Sequence, residues 1–231
     1  MIPVPAFLMS RLPGTALIAA NLVVAAVTLI RGWGFYEIII VYWCEAIIIG
    51  GYNMARMVMV GLAGEPFGKS IDAGSLPNRL LLLLLVLGFF VVKFGGFALG
   101  MGLLVAMVPA FLGQAHNAGA REIWHGLRAV GGGVAIAVAV LFISHGISFV
   151  MNFLLRREYE NTNLLVLLFW PYVRMSLVMI ALAAGLVAAA LIPALDTSTT
   201  FGVAIVLVKS AADLLMHQIE HAWLARKNTA K

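Results

Sequence analysis

Five ionisable residues near the carboxyl end of the sequence recur at spacings of three and four. They are Lys209, Asp213, His217, Glu220 and His221. At about 100° per residue, these spacings place all five on one face of an α-helix. Asp213, His217 and His221 stand one turn apart, so a carboxylate and two imidazoles can point at one position, as the ligands of a divalent metal do. The spacing therefore predicts a metal site on this helix.

The segment that carries this stripe is apolar. A charge exposed to lipid near the bilayer centre costs roughly 2.5 kcal/mol or more, so we expect the stripe to face the bundle interior, a water-filled cavity or a metal. His217, Glu220 and His221 also match the H-x-x-E-H spacing of one metallopeptidase class, in which both histidines bind zinc and the glutamate is the general base. The location in a membrane helix, rather than in a soluble catalytic domain, argues against that class.

Two other apolar segments each contain an ionisable residue. Glu45 lies near the middle of one, and His145 lies in the other, followed at helical spacing by Ser148. The predicted metal ligands are His145, Asp213, His217 and His221. The predicted catalytic residues are Glu45, Glu220 and Ser148. Zinc or another divalent metal is the expected cofactor, because these ligands supply nitrogen and oxygen donors. The pKa of a water bound to that metal would be lowered toward neutrality.

These groups also have interpretations that need no metal. The last stripe is equally consistent with a buried ion-pair network in which Lys209 pairs with Asp213 or Glu45. His145 can hold helices together by interhelical hydrogen bonds. Glu45 can pair with Lys93 across helices, which would satisfy both charges without any chemistry. The residue types alone leave these alternatives open.

The composition indicates the medium in which these residues act. Of the 231 residues, 63% are hydrophobic and 11% are charged, with a mean hydropathy of +1.04, which excludes an ordinary soluble domain. Runs able to cross a hydrocarbon core of about 30 Å cover residues 14–30, 34–60, 80–112, 130–155, 172–192 and 200–225. A shorter run, 164–170, precedes Pro171 and is predicted to lie at the membrane surface. The expected fold is all-α, a single transmembrane domain over residues 1–231 with about six transmembrane helices plus one interfacial segment.

Lysine and arginine are unevenly distributed between the loops. Most of them, including Arg156 and Arg157, fall on one side, whereas the other side has only Arg31, Arg121 and Arg128. Positive charge is retained on the cytoplasmic side, so both termini are predicted to be cytoplasmic. The basic charge is therefore a topology signal, and the expected partners are membrane lipids rather than nucleic acid.

Three groups of residues resemble a known family. The first is residues 42–50, YWCEAIIIG, followed by Asn53. The second is residues 144–149, SHGISF, continuing through Asn152, Phe153, Glu158, Tyr159, Pro171, Tyr172 and Arg174, and the third is the last-helix stripe. Together they resemble a family of small, mostly prokaryotic integral membrane proteins of unknown function. The resemblance implies a helical protein of a prokaryotic inner membrane and supplies no activity.

The pair His217 and His221 gives a second, looser resemblance. It is similar to the last-helix H-x-x-x-H pair of the alkaline ceramidase and adiponectin receptor group, which are membrane zinc hydrolases. That resemblance implies zinc and a lipid-like substrate, although the predicted spans are one fewer than that fold has. Lys93 stands where the first family's pattern would have histidine, which leaves the third helix without a metal ligand.

Three function classes follow. The first is a metal-dependent hydrolase acting on a lipid-like or peptide substrate. The second is a proton- or ion-coupled transporter or channel that relays charge through Glu45, Lys93, Lys209 and Asp213. The third is a structural membrane protein with a buried polar network. The sequence leaves open whether the protein is an enzyme and whether it forms homo-oligomers.

Overall fold

The computed structural model describes the backbone of residues 6–63, 76–111, 131–160, 162–192 and 199–229; some side chains within these ranges, including those of residues 216–229, lie outside the description. The α-helices in this part of the chain are α1 (Ala6–Arg31), α2 (Phe35–Ala63), α3 (Leu76–Phe111), α4 (Gly131–Ser148), α5 (Leu164–Leu191) and α6 (Thr199–Thr229). After α4 come a π-helix, Phe149–Leu155, and a short 3-10 helix, Glu158–Glu160. The predicted all-α fold is confirmed.

Four segments of the described chain are long and apolar enough to cross a membrane: Leu12–Arg31, Phe35–Leu62, Pro77–Met107 and Gly131–Leu155. The exterior is aliphatic, with residues such as Leu84, Val92 and Leu99 exposed, whereas Glu45 and Lys209 are buried. This distribution is the reverse of a soluble protein's. An aliphatic exterior around a charged interior is stable in lipid, because lipid does not hydrate charge.

The interface between α2 and α3 defines their relative direction. Trp43 of α2 donates from Nε1 to the carbonyl of Ala98, at 2.8 Å. Gly61, further along α2, packs against Leu83, which precedes Ala98 in α3. The two helices therefore run antiparallel. Helix α5 is also antiparallel to α2. Phe35, at the start of α2, packs against Gly185, near the end of α5, whereas later residues of α2 contact the beginning of α5.

Helices α4 and α6 run parallel to α2. Trp33, just before α2, packs against Gly133 at the start of α4, and Tyr52 packs against Gly146 near its end. Ile38 packs against Gly202 at the start of α6. Later residues of α2 meet later residues of α6, since Glu45 pairs with Lys209.

Helix α1 packs against α6 in the opposite direction. Thr28, near the end of α1, lies by Gly202, whereas Asn21 lines a cleft with Ser210 and Leu214. The even-numbered helices thus share one direction, and α1, α3 and α5 share the other. This alternation is the arrangement expected when successive helices traverse one layer.

The predicted end of a separate short segment at Pro171 is wrong, because residues 164–170 are part of a longer helix. Leu164–Leu191 is one helix of 28 residues with Pro171 inside it, and Asn163 caps its start by accepting from the Val166 N–H at 2.9 Å. Leu164 and Leu167 are buried in the core rather than lying at a surface. Its first two turns pack into the apolar core cluster that also contains residues of α2 and α3.

The core has two apolar clusters along α2. One surrounds the beginning of α2 and includes Phe35, Ile38, Leu141 and Val206. The other packs α2 against α3, the π-helix and the first half of α5, where it includes Phe94, Phe153 and Met175. The buried ionisable residue of α2, Glu45, follows the first cluster along the helix.

Candidate functional site

Among the described residues, four ionisable side chains from three helices meet inside the bundle: Glu45 of α2, His145 of α4, and Lys209 and Asp213 of α6. Oε1 of Glu45 lies 3.1 Å from Nε2 of His145, and Oε2 of Glu45 lies 2.5 Å from Nζ of Lys209. Nζ of Lys209 is also 2.5 Å from Oδ2 of Asp213, one turn further along α6. We call this continuous series of pairs the buried ion-pair cluster.

The cluster is almost completely enclosed by the protein. Glu45, Lys209 and Asp213 are 2%, 2% and 3% exposed, and the His145 side chain is 10% exposed. Enclosed charges need partners for most of their polar atoms, because removing them from water is costly. Glu45 meets this demand by directing one carboxylate oxygen at His145 and the other at Lys209.

Tyr42 forms one wall of the cluster. It precedes Glu45 by one helical turn, and the centroid of its ring lies 4.8 Å from Nζ of Lys209. The electron-rich face of an aromatic ring attracts a cation in this position. Lys209 is therefore surrounded by two carboxylates and a ring face. The Tyr42 hydroxyl is buried and has no hydrogen-bond partner among the described residues.

A glycine sets the distance between α2 and α6. A Cβ atom at Gly202 would lie 2.7 Å from Cδ1 of Ile38 and 3.0 Å from the carbonyl oxygen of Trp33. Both helices advance seven residues, about two turns, from the Ile38 contact to the pairing of Glu45 with Lys209. The glycine at the start of α6 therefore permits the close approach that the ion pair requires.

A second contact positions His145. The hydroxyl of Tyr52 donates to the carbonyl of Phe142 at 3.1 Å, on the turn of α4 that contains His145. A Cβ atom at Gly146 would lie 2.6 Å from that hydroxyl. The glycine beside His145 therefore leaves the space that Tyr52 needs to tie α4 to α2.

The charges of the cluster do not balance unless it holds a proton. Glu45 and Asp213 contribute two negative charges and Lys209 one positive charge. Counted over these four described side chains alone, the net charge is −1 with neutral His145 and zero with protonated His145. An unbalanced buried charge is strongly unfavourable, so the arrangement is suited to taking up one proton.

A line of polar side chains follows His145 along the π-helix. Nδ2 of Asn152 donates to Oγ of Ser148 at 3.5 Å, and Nη1 of Arg156 donates to Oδ1 of Asn152 at 3.4 Å. The three residues stand four apart, which keeps them on one side of the widened helix. π-Helical segments are rare and frequently occur at functional sites. In the other direction the first apolar cluster closes the bundle.

The structure brings together three of the predicted site residues, Glu45, His145 and Asp213. Ser148 is not in the cluster, since its side chain pairs with Asn152. The remaining predicted residues, His217, Glu220 and His221, lie on α6 with side chains outside the described residues. No group of three or more His, Cys, Asp or Glu in the described part of the chain is placed to hold a metal.

Sequence reasoning omitted two residues from the predicted site. Lys209 was expected as an ion-pair partner or as part of a charge relay, and the ion pairing, with both Asp213 and Glu45, is confirmed. Tyr42 could have been found from its position one turn before Glu45. The predicted pair between Glu45 and Lys93 is wrong, because Lys93 is exposed and lies over the Phe89 ring, 5.8 Å from its centroid.

The comparisons with known proteins supply a family without an activity. A family model described as a family of unknown function (DUF6498) matches residues 5–230, which include the whole cluster. No curated protein and no solved structure matches the chain. The expected similarity to the alkaline ceramidase and adiponectin receptor group therefore has no support.

Proposed function

Since the chain belongs to a family of unknown function (DUF6498), its activity must be inferred from geometry, and we propose that it is a proton- or ion-coupled membrane transporter or channel. In this proposal the buried ion-pair cluster takes up and releases the coupling proton. The observation that carries it is the Glu45 carboxylate, which bridges His145 and Lys209 inside the bundle. Carboxylates and histidines inside membrane helices are typical of proton relays.

We further propose six transmembrane spans, α1 to α6. The alternating helix directions support this number, because α5 and α6 run in the directions that two further crossings require. Glu45 and Lys209 each stand ten residues after the start of their helix, at Phe35 and Thr199. At 1.5 Å per residue this is about 15 Å, half of a hydrocarbon core about 30 Å thick. The cluster would then lie near the midplane.

The proposed access to the cluster is one-sided. Ser148, Asn152 and Arg156 form a polar line toward the end of the bundle that carries Arg156 and Arg157. Positive charge favours the cytoplasmic side for this end, in the inner membrane of a prokaryote, with the beginning of α1 and the end of α6 on the same side. The opposite path is filled by apolar side chains, including Phe35 and Ile38. A site open to one side at a time is what alternating access requires.

The first test measures proton uptake by the purified, full-length protein. The chain in detergent is shifted from about pH 8 to about pH 6, the range in which histidine usually changes charge, in weakly buffered solution. We expect His145→Gln and Glu45→Gln to take up fewer protons than the wild type, by about one proton for His145→Gln. Glu160→Gln is the control, because Glu160 forms an exposed pair with Arg157.

The second test measures proton flux. Vesicles that contain the protein and a pH-sensitive dye are given an inside-negative potassium diffusion potential. We expect the wild type and Glu160→Gln to acidify the lumen faster than protein-free vesicles, and Glu45→Gln to match the protein-free rate. Two results together would overturn the proposal: folded His145→Gln and Glu45→Gln variants that take up as many protons as the wild type, and wild-type vesicles that acidify no faster than protein-free vesicles. They would leave a structural role for the polar network.

A zinc-dependent hydrolase acting on a lipid-like or peptide substrate is the second candidate. One observation favours it: α6 is a continuous α-helix from Thr199 to Thr229. Asp213, His217 and His221 therefore lie one helical turn apart, as the predicted metal site requires. Elemental analysis of the detergent-purified wild type, His217→Ala and His145→Ala tests this function. Near-stoichiometric zinc that is lost from both variants would support it, and a metal-free wild type after zinc supplementation would overturn it.

A further inference from the structure

Helix α3 has one face that no described part of the chain covers. Only 17% of its apolar span, Pro77–Met107, is buried, the smallest share among the four candidate spans. We define the outer face of α3 as Phe89, Lys93, Gly96, Gly100 and Leu103, which are spaced by four, three, four and three. Residues with this spacing lie along one stripe of a helix and can contact a single partner helix.

Lys93 lies in the middle of this face. It stands 16 residues after Pro77 and 14 before Met107, which is about 24 Å and about 21 Å along the helix axis. The side chain is exposed, and within the described residues it has no ion pair; its ammonium group lies over the ring of Phe89. If the span is centred in a hydrocarbon core about 30 Å thick, Lys93 lies about 15 Å from either edge, and its ammonium group stays within the core. An ammonium group exposed to acyl chains is unfavourable, and a carboxylate on a neighbouring helix would stabilise it.

We propose that the outer face of α3 docks a transmembrane helix of a different protein, which carries an aspartate or glutamate at the level of Lys93. The backbone next to Lys93 permits close approach, because Gly96 and Gly100 form a G-x-x-x-G pair. A Cβ atom at either glycine would meet nothing within 4 Å. Small residues let two helices pack closely in lipid, and the ion pair would satisfy the two charges.

A second copy of the chain does not fit this face. A symmetric contact would bring two Lys93 ammonium groups together. The described acidic residues deep in the bundle are Glu45 and Asp213, and both are buried and paired with Lys209. Among the described residues, a second copy therefore presents no exposed carboxylate at the required depth, whereas another protein can.

The test uses a synthetic single-span peptide as the probe. The peptide is a leucine and alanine helix with one G-x-x-x-G motif and a central aspartate, and matched peptides have leucine or lysine at that position. The full-length protein and the peptide are labelled for energy transfer in phosphatidylcholine vesicles. We expect the aspartate peptide to bind roughly tenfold more tightly than the leucine peptide.

Variants assign the binding to this face. Lys93→Met should abolish the preference for aspartate, and Lys93→Asp should transfer the preference to the lysine peptide. Gly96→Ile should weaken binding of both the aspartate and leucine peptides. Gly88→Ile is the matched control, because Gly88 is also uncovered but lies about 100° from the centre of the face. Unchanged aspartate preference in Lys93→Met would overturn the proposal, as would self-association of the wild type that Gly96→Ile abolishes.

Discussion

The side-chain amide of Asn53 donates a hydrogen bond to the carbonyl oxygen of Leu167, at 2.8 Å. In a regular helix this carbonyl would accept from the N–H of residue 171, four positions later, but that residue is Pro171 and has no N–H. Asn53 therefore replaces the backbone donor that the proline lacks. The contact explains how α5 continues through Pro171 although the carbonyl of Leu167 is buried in the bundle.

Asn53→Ala should destabilise the protein by about 1–3 kcal/mol, because the buried carbonyl of Leu167 would have no donor. Pro171→Ala supplies the missing N–H, so Asn53→Ala should cost much less in a Pro171→Ala background. Unfolding in detergent, followed by circular dichroism for the four proteins of this cycle, measures the coupling. An equal loss in both backgrounds would contradict the replacement of one donor by the other.

The same relationship shows why α5 could not be predicted correctly. Sequence reasoning interpreted Pro171 as the end of a short segment, since proline removes a hydrogen bond and commonly breaks helices. The residue that compensates is 114 positions away, and no local pattern identifies it. The helical stripes themselves were predictable, because spacing of three and four is a local property.

For the candidate site, too, the sequence predicted which residues lie inside the bundle but not which of them pair. Glu45, His145 and Asp213 were expected inside the bundle because lipid disfavours charge. The choice between Lys93 and Lys209 as the partner of Glu45 was not predictable. Both lysines lie deep in apolar helices, and only the rotation of α3 and α6 about their axes decides which one faces inward.

Gly202→Ala should destabilise the bundle by about 1–3 kcal/mol, because the added methyl group would overlap Ile38 and the carbonyl of Trp33. Gly51→Ala is the matched control: Gly51 lies in α2, and a methyl group there would meet nothing within 4 Å, so this change should stabilise by up to about 1 kcal/mol. Equal stability of the two variants, measured by unfolding in detergent, would contradict close approach at Gly202.

Six spans predict the side on which each helix end is labelled. In a Cys44→Ser background, which removes the single thiol, we consider Arg31→Cys, Glu160→Cys and Thr200→Cys. An impermeant maleimide should label positions 31 and 200 in intact cells, and position 160 only after permeabilisation, because α4 and α5 separate these ends. If position 200 behaves like position 160, α5 does not cross the membrane and the chain has fewer than six spans.

Lys209→Met should destabilise the protein by about 3–5 kcal/mol, because it leaves the carboxylates of Glu45 and Asp213 close together without the ammonium group between them. Lys209→Met combined with Asp213→Asn removes one of the two negative charges and should recover a large part of this loss. Unfolding of the single and double variants near pH 7 measures the recovery. If the losses of the two single variants simply add in the double variant, Lys209 and Asp213 do not interact, and the buried ion-pair cluster ends at Lys209.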